Sequence, residues 1–566
     1  MITGIHGVLV AAAIAVAASS ALAQSPADFL RTDPRAGRAS EVVPPEDAAP
    51  TPLAPSAPRS GPRFVLRDVR LDGATAIADG ALAPLWAELI GTEVALAALD
   101  AIAASVAAAY RARGFILSQA IVPPQTVTDG IVVIQVIEGY IDRVAIVGGA
   151  QNQRDAAAGL FAPVPQDRPL RLHTLERAVL LSRDIFGGGA DTAVEPSPVT
   201  FGAADMTVAI TSAPIAGFAS ADNRGSRLYG VGNFVTGGTA YNRLGLNEQL
   251  GIVGAGALDG SLGYLQGTAA LPLFMLAGTL LDGAMLELEA DYANGEPDLT
   301  RSGAPDAQTL TTHEVNLRAA LRVPIIRTRV QNLFGEIGLD WQDSDNVNGF
   351  GPDETTATDR LLVLDASLSW DRADRFGGVS LVAAGLRQGL DVSDTFVGGG
   401  VSSGVADFTL MTLDVTRLQR LGQGPWALWL EAIGQYALDV LPNSERFALG
   451  DASIGRGYAP GNTTGDSGYG VRVEVRRQVG SAVLRGLGEA AEFYAFGDYG
   501  RAYDRDADRD GAAWESLGSA GFGARIDVRP WLTITPEIAR QLDGTPTDTT
   551  DASLETRFYI GVVARF

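Results

Sequence analysis

Between Phe218 and the C-terminus, apolar and polar residues alternate in strict two-residue steps in several places. Leu286, Leu288, Ala290 and Tyr292 are interleaved with Glu287, Glu289 and Asp291. Tyr469, Val471, Val473 and Val475 are interleaved with Gly470, Arg472, Glu474 and Arg476, and Phe522, Ala524, Ile526 and Val528 with Gly523, Arg525, Asp527 and Arg529. A strand sends successive side chains to opposite faces, so each segment predicts a strand with one oily and one charged face. A soluble sandwich turns the oily face inward, whereas a membrane barrel turns it toward lipid and places the charges in its lumen. Polar breaks at Asp343–Thr358 and Asp504–Gly511 suit long extracellular loops. The chain closes on Phe558, Ile560, Val562, Ala564 and Phe566 at two-residue steps, the form of a C-terminal barrel strand. At about ten residues per spanning strand, this region accommodates about 16 antiparallel strands. The apolar stretch Ala269–Leu281 is too short for a helical span and contains Pro272 and Gly278.

Upstream the period changes. Phe64–Leu71, Ser118–Val122 and Ile131–Ile137 read as strands, and Ala81–Leu89 and Leu96–Arg113 as helices. A second round follows, with strands at Ile141–Val147, Ala190–Glu195 and Asp205–Ser212 and a helix at Leu172–Ile185. Two α+β units are therefore expected at residues 64–139 and 140–215, ahead of a barrel at residues 216–566. Gln24–Arg63 carries nine prolines and reads as an extended linker, with a short helix-like piece at Pro26–Arg31. Residues 1–23, apolar from Val8 to Ala18 and ending Ala21-Leu22-Ala23, read as a secretory signal peptide.

Composition narrows the chemistry. The 566 residues contain 43 basic side chains, all of them Arg, 66 acidic ones, no Cys and three His (His6, His173, His313). Without Lys there is no Walker phosphate loop, and without Cys no thiol nucleophile or cysteine zinc site. A formal net charge of −23 opposes nucleic-acid binding, which depends on clustered cations. No catalytic site, metal site or cofactor is expected. Asp504–Asp510 (DRDADRD) has interspersed Arg505 and Arg509 and no closing Glu, so it reads as a solvated loop and not a calcium site. Trp341, Trp370, Trp426 and Trp531 are candidates for interfacial belts against outer-membrane lipid.

The string Tyr110–Ile141 (YRARGFILSQAIVPPQTVTDGIVVIQVIEGYI) resembles the first POTRA domain of two-partner secretion transporters, the TpsB or haemolysin-secretion type. The matching marks are Tyr110, Gly114, Pro124, Gln125, Gly130, Glu138 and Gly139. Arg456-Gly457-Tyr458 resembles that superfamily's inward-folded loop tip, and Phe496-x-Asp498-x-Gly500 the strand motif facing it. The resemblance implies a membrane all-β barrel with two N-terminal α+β POTRA domains in the periplasm, and a lock of Arg456 on Asp498. It also implies a secreted exoprotein partner of adhesin or haemolysin type, passed through the barrel in the outer membrane, and a plug formed by the N-terminal segment. Assembly of other barrels is the alternative function within that superfamily. The second POTRA strand, Thr192, Ala193, Val194 and Glu195, is the expected capture edge, because an open strand edge can pair with an extended chain. Phe558 and Phe566 carry the expected C-terminal barrel signal.

Overall fold

The computed structural model describes residues 63–566, apart from 212–214, 277–278, 280, 303–307, 351–352, 393–395, 399–403, 485–487, 506–513 and 550–552. The expected signal peptide, nearly all of the proline-rich segment with its plug candidate Pro26–Arg31, and most of the Asp504–Asp510 string lie outside the described residues.

The first α+β unit has a three-stranded sheet. β1 (Asp68–Asp72) runs parallel to the central β3 (Ile131–Ile137), which pairs antiparallel with β2 (Gln119–Ile121). Helix α1 (Leu96–Ala112) packs Leu99, Ile102, Val106 and Tyr110 onto Val132, Ile134 and Val136, the inward positions of β3. The helix expected at Ala81–Leu89 is instead one α turn, Asp79–Leu82, followed by two 3-10 turns. Pro84 has no N–H to give to a continuing helix and stands where the break begins.

The second unit repeats the plan. β4 (Tyr140–Gly148) is parallel to a central strand that follows two helices, α2 (Gln151–Phe161) and α3 (Leu172–Phe186). β5 (Gly189–Pro196) pairs antiparallel with that central strand, β6 (Ala203–Thr211). The sheet order is β4-β6-β5, so β5 stands at an edge. Helix α2 escapes the sequence pattern because its apolar residues are mostly Ala. Its start is fixed by Gln153, which is buried and accepts the Ala150 N–H at 2.9 Å.

Among the described residues, sixteen long antiparallel strands then close a barrel. They are β7 (Ile215–Asp222), β8 (Asn233–Tyr241), β9 (Gln249–Ala257), β10 (Leu262–Pro272), β11 (Met285–Gly295), β12 (Gln308–Arg327), β13 (Gln331–Phe350), β14 (Asp353–Ala373), β15 (Gly378–Gly389), β16 (Thr409–Arg420), β17 (Trp426–Ala437), β18 (Ser467–Gly480), β19 (Ala490–Tyr503), β20 (Trp514–Arg529), β21 (Leu532–Asp543) and β22 (Thr556–Arg565). Closure comes from β22 against β7, with Gly561 opposite Asp222 and Arg565 opposite Phe218. No helix among the described residues is long and apolar enough to cross a membrane.

The alternation has the inverted sense. Leu288, Tyr292, Tyr469, Val471, Val473, Val475, Phe522, Phe558, Ile560 and Val562 all stand exposed on the outer face. Asp291, Arg472 and Glu474, their alternating neighbours, are buried on the inner face. Phe566 extends that outer stripe and is 78% exposed. In water such a surface would be an aggregation hazard; against hydrocarbon it is the stable arrangement.

Candidate functional site: the lumen loop and the periplasmic mouth

The connection from β17 to β18 turns back into the lumen. Its hairpin, Phe447–Leu449 with Thr463–Gly465, lies on the inner wall. Gly500 makes room for it: a Cβ there would lie 2.7 Å from the Leu449 side chain. At the tip, Gly455 has φ +82°, a left-handed turn that aims the next three residues at the wall.

Arg456 is buried, and its two terminal nitrogens reach different strands: Nη1 lies 2.8 Å from Glu474 on β18 and Nη2 3.0 Å from Glu537 on β21. Its guanidinium carbon stands 4.4 Å from the Phe496 ring centroid and 5.4 Å from that of Tyr494. The expected Arg456–Asp498 ion pair is therefore replaced by pairs to Glu474 and Glu537. Asp498 grips the loop through its backbone, accepting the Gly455 N–H at 2.8 Å and the Ser519 hydroxyl at 2.9 and 2.8 Å. Ser519 in turn accepts the Gly457 N–H at 3.2 Å, and Gln541 donates to the Gly457 carbonyl at 2.8 Å. A Cβ on Gly457 would crowd Ser519 and Gln541 at 3.1–3.3 Å. Tyr458 donates its hydroxyl to the Asp543 carbonyl.

Six predicted residues thus converge on one wall, but Glu474 and Glu537, the charged partners of Arg456, are residues that motif reading does not pick out. Glu474 also meets Arg476 at 2.7 Å and Arg525 at 3.5 Å, and Arg472 pairs with Glu431. Their signal was the charged face of the alternation; what joins them is cross-strand register, which no single segment encodes.

The loop has a second anchor on another arc of the wall. Glu445 takes Arg387 of β15 with two bonds, 2.7 and 3.0 Å, and Arg387 continues to Asp340 of β13 at 2.8 Å. Arg318 of β12 joins Asp340 at 3.0 Å and Asp365 at 3.1 Å. At the loop base, Asp466 accepts the N–H groups of Leu441 and Arg505, and Arg446 pairs with Asp504 at 2.6 Å.

Two of the first-unit marks, Tyr110 and Glu138, meet directly. Glu138 accepts the N–H groups of Thr75 and Ala76, the Thr75 hydroxyl, and the Tyr110 hydroxyl at 2.7 Å. Burial works against its ionisation, but the Ala76 N–H, the Thr75 hydroxyl and N–H, and the Tyr110 hydroxyl hold its carboxyl below the usual range. Gln125 brackets Val133 with two bonds, and Pro124 stands exposed beside it. Gly130 adopts φ +73° where a Cβ would strike the Val65 carbonyl at 2.3 Å. The carbonyls of Gly114 and Gly139 receive the N–H groups of Leu172 and Leu170, tying the first unit to the second.

The second unit is docked on the barrel by α3. Arg177 donates to the carbonyls of Pro324 (2.9 Å) and Asp282 (2.7 Å), Arg327 grips Asp184 at 2.7 and 2.6 Å, and Arg329 reaches Glu176 at 2.9 Å. Between α3, Thr192 and the strand ends near Met285 and Phe334 lies a cleft of about 540 Å³. Thr192, Ala193, Val194 and Glu195 are exposed on β5, whose outer edge has no strand partner among the described residues.

Together these features define an outer-membrane barrel with periplasmic POTRA domains and a loop folded into its lumen. Residues 64–139 match the POTRA domain of ShlB type, and residues 358–526 match the haemolysin secretion/activation proteins ShlB/FhaC/HecB. These matches support a two-partner secretion transporter of TpsB type, a family of protein transporters. It is 20% identical over 501 residues to the heme/hemopexin transporter protein HuxB of Haemophilus influenzae (strain 86-028NP), covering 86% of this chain and 84% of that protein. Two solved structures share the fold: CdiB from Escherichia coli (TM-score 0.69, 18% identity, 94% of this chain and 96% of that one) and CdiB from Acinetobacter baumannii (TM-score 0.59, 16% identity, 94% and 96%). The barrel is set in the outer membrane with its POTRA domains in the periplasm, and the chain is a transporter for exoprotein secretion.

Proposed function

We propose that the chain captures an unfolded exoprotein of adhesin or haemolysin type at the second POTRA domain and delivers it into the lumen beneath the β17–β18 loop. The observation that supports this is the open edge of β5 standing beside the cleft that borders the periplasmic strand ends. An unfolded chain presents unpaired backbone groups, and strand addition satisfies them without demanding a particular sequence. Translocation needs no active site, since folding of the partner outside the cell biases its diffusion outward.

Co-expression with a candidate exoprotein, scoring its delivery to the surface or medium, tests the reading. Of the N–H groups of Ala193 and Val194, one faces the open edge, so proline at each position in turn separates edge pairing from ladder pairing. Delivery lost in at least one proline variant with the barrel still inserted supports capture on β5. Full delivery by both sinks it.

A further inference from the structure

The chain entering β7 from the POTRA side fixes which strand ends face the periplasm, and that rim divides into two halves. Over the turns from β8 to β13 sits the second POTRA domain, and the arginines there are matched: Arg322 to Glu287, Arg327 to Asp184 and Arg329 to Glu176. From the β14–β15 turn to the β20–β21 turn the rim carries Arg375, Arg420, Arg477 and Arg529. Among the described residues none of these four has a carboxylate within 4.0 Å. The neighbouring acids are engaged elsewhere, Asp374 by Arg417 and Asp527 by the Thr533 hydroxyl, while Glu489 is exposed.

Aromatic side chains stand among these cations. Arg477 follows Tyr469, Val471, Val473 and Val475 on the outer face of β18, so it ends an oily stripe at the periplasmic side. In register it lies between Trp426 of β17 and Phe493 of β19, both exposed, with its guanidinium 5.3 Å from the Trp426 ring. Arg375 stands 4.9 Å from Phe376, which is 69% exposed, and Trp531 at the β20–β21 turn is 54% exposed. An aromatic ring prefers the headgroup level, and an arginine beside it keeps its stem on hydrocarbon and its charge in the polar layer.

We propose that this half of the rim binds the phosphate groups of anionic phospholipids in the inner leaflet, with Arg477 at its centre. Two features select a lipid over free phosphate: Arg477 continues an oily stripe on the outer face, and the four cations are spread along the rim instead of enclosing a pocket. Guanidinium groups match phosphate oxygens with paired bonds. In a chain of net charge −23, four cations on one arc without carboxylate partners among the described residues create a local attraction for anions.

Full-length protein in phosphatidylcholine vesicles, with spin-labelled phosphatidylglycerol or spin-labelled phosphatidylcholine as probe, tests this. The wild type should enrich phosphatidylglycerol at its surface by about fivefold, and raised salt should weaken the enrichment. The combined variant R375Q/R420Q/R477Q/R529Q, checked for a folded barrel, should lose the preference. Lysine at the same four positions should restore it, and R67Q/R70Q in the first POTRA domain should leave it intact. The single R477Q variant, for use should the combined variant fold poorly, should lower it measurably. Equal lipid preference in wild type and glutamine variants overturns the proposal, as does full competition by inorganic phosphate.

Discussion

Glu138 shows how one side chain organises a domain. Four donors from two separate segments meet its carboxylate, so its charge holds the Thr75–Ala76 turn and α1 together. Glu138→Ala should cost the POTRA pair about 3 kcal/mol, because hydrogen bonds to a charged group contribute more than neutral ones; thermal unfolding of residues 63–211 reads this. The folded carboxyl titrates below its unfolded value, so its contribution is present above the ordinary carboxylate range and is lost as pH falls through the folded pKa. The stability gap between wild type and Glu138→Gln should therefore narrow on acidification; a gap that widens would refute the assignment. Tyr110 and Glu138 were both legible as motif residues, but their bond was not, since 28 residues separate them and only the packing of α1 on β3 closes that distance. Arg456 teaches the same lesson with a different outcome. Its inward position was implied by the tripeptide's resemblance to the superfamily's loop tip, yet its partners are set by strand register across β18 and β21, and the nearer carboxylates took the guanidinium.

At the scale of elements, strands with clean alternation were readable because lipid on one side and a charged lumen on the other enforce a period of two. Helix α2, built on Ala156, Ala157 and Leu160, carries too weak an apolar stripe to stand out, and Pro84 turned an expected helix into separate turns. Nothing in the sequence announced that α3 would be the element that joins periplasm to barrel. Its dock is polar: Arg177 donates to the carbonyls of Asp282, in the β10–β11 turn, and Pro324, near the end of β12, and Asp184 meets Arg327. Removing one partner leaves the other charge partly desolvated, so Asp184→Asn combined with Glu176→Gln should loosen the domain against the rim. Spin labels on α2 and the β14–β15 turn should report a broadened distance distribution, while heat-modifiability of the barrel stays unchanged. A distribution as narrow as in the wild type would mean that Arg177 and the Asn152–Asn242 contact hold the dock without the ion pairs.

Across the whole molecule, the lumen is governed by a loop held at two places on different arcs of one wall. The Arg456 anchor is the drier one: Glu474 and Glu537 show no exposed side-chain surface, and the flanking Tyr494 and Phe496 exclude water. Breaking such a pair by removing one member costs about 3–5 kcal/mol, mostly from the charge left behind. The Glu445 anchor is wetter on one side, since Arg387 keeps a quarter of its side chain exposed and retains Asp340 when Glu445 leaves. Release at Glu445 therefore strands less charge than release at Arg456, and the loop should swing from the β13–β15 arc while its tip stays on β18–β21. Glu445→Gln should raise the open probability of the pore in planar bilayers and leave secretion of a partner intact. Arg456→Ala should lower secretion, because the tip that organises β18, β19 and β21 is lost. If instead Glu445→Gln leaves conductance unchanged and Arg456→Ala alone opens the pore, the loop pivots about its other end, and the wetter anchor is the fixed one.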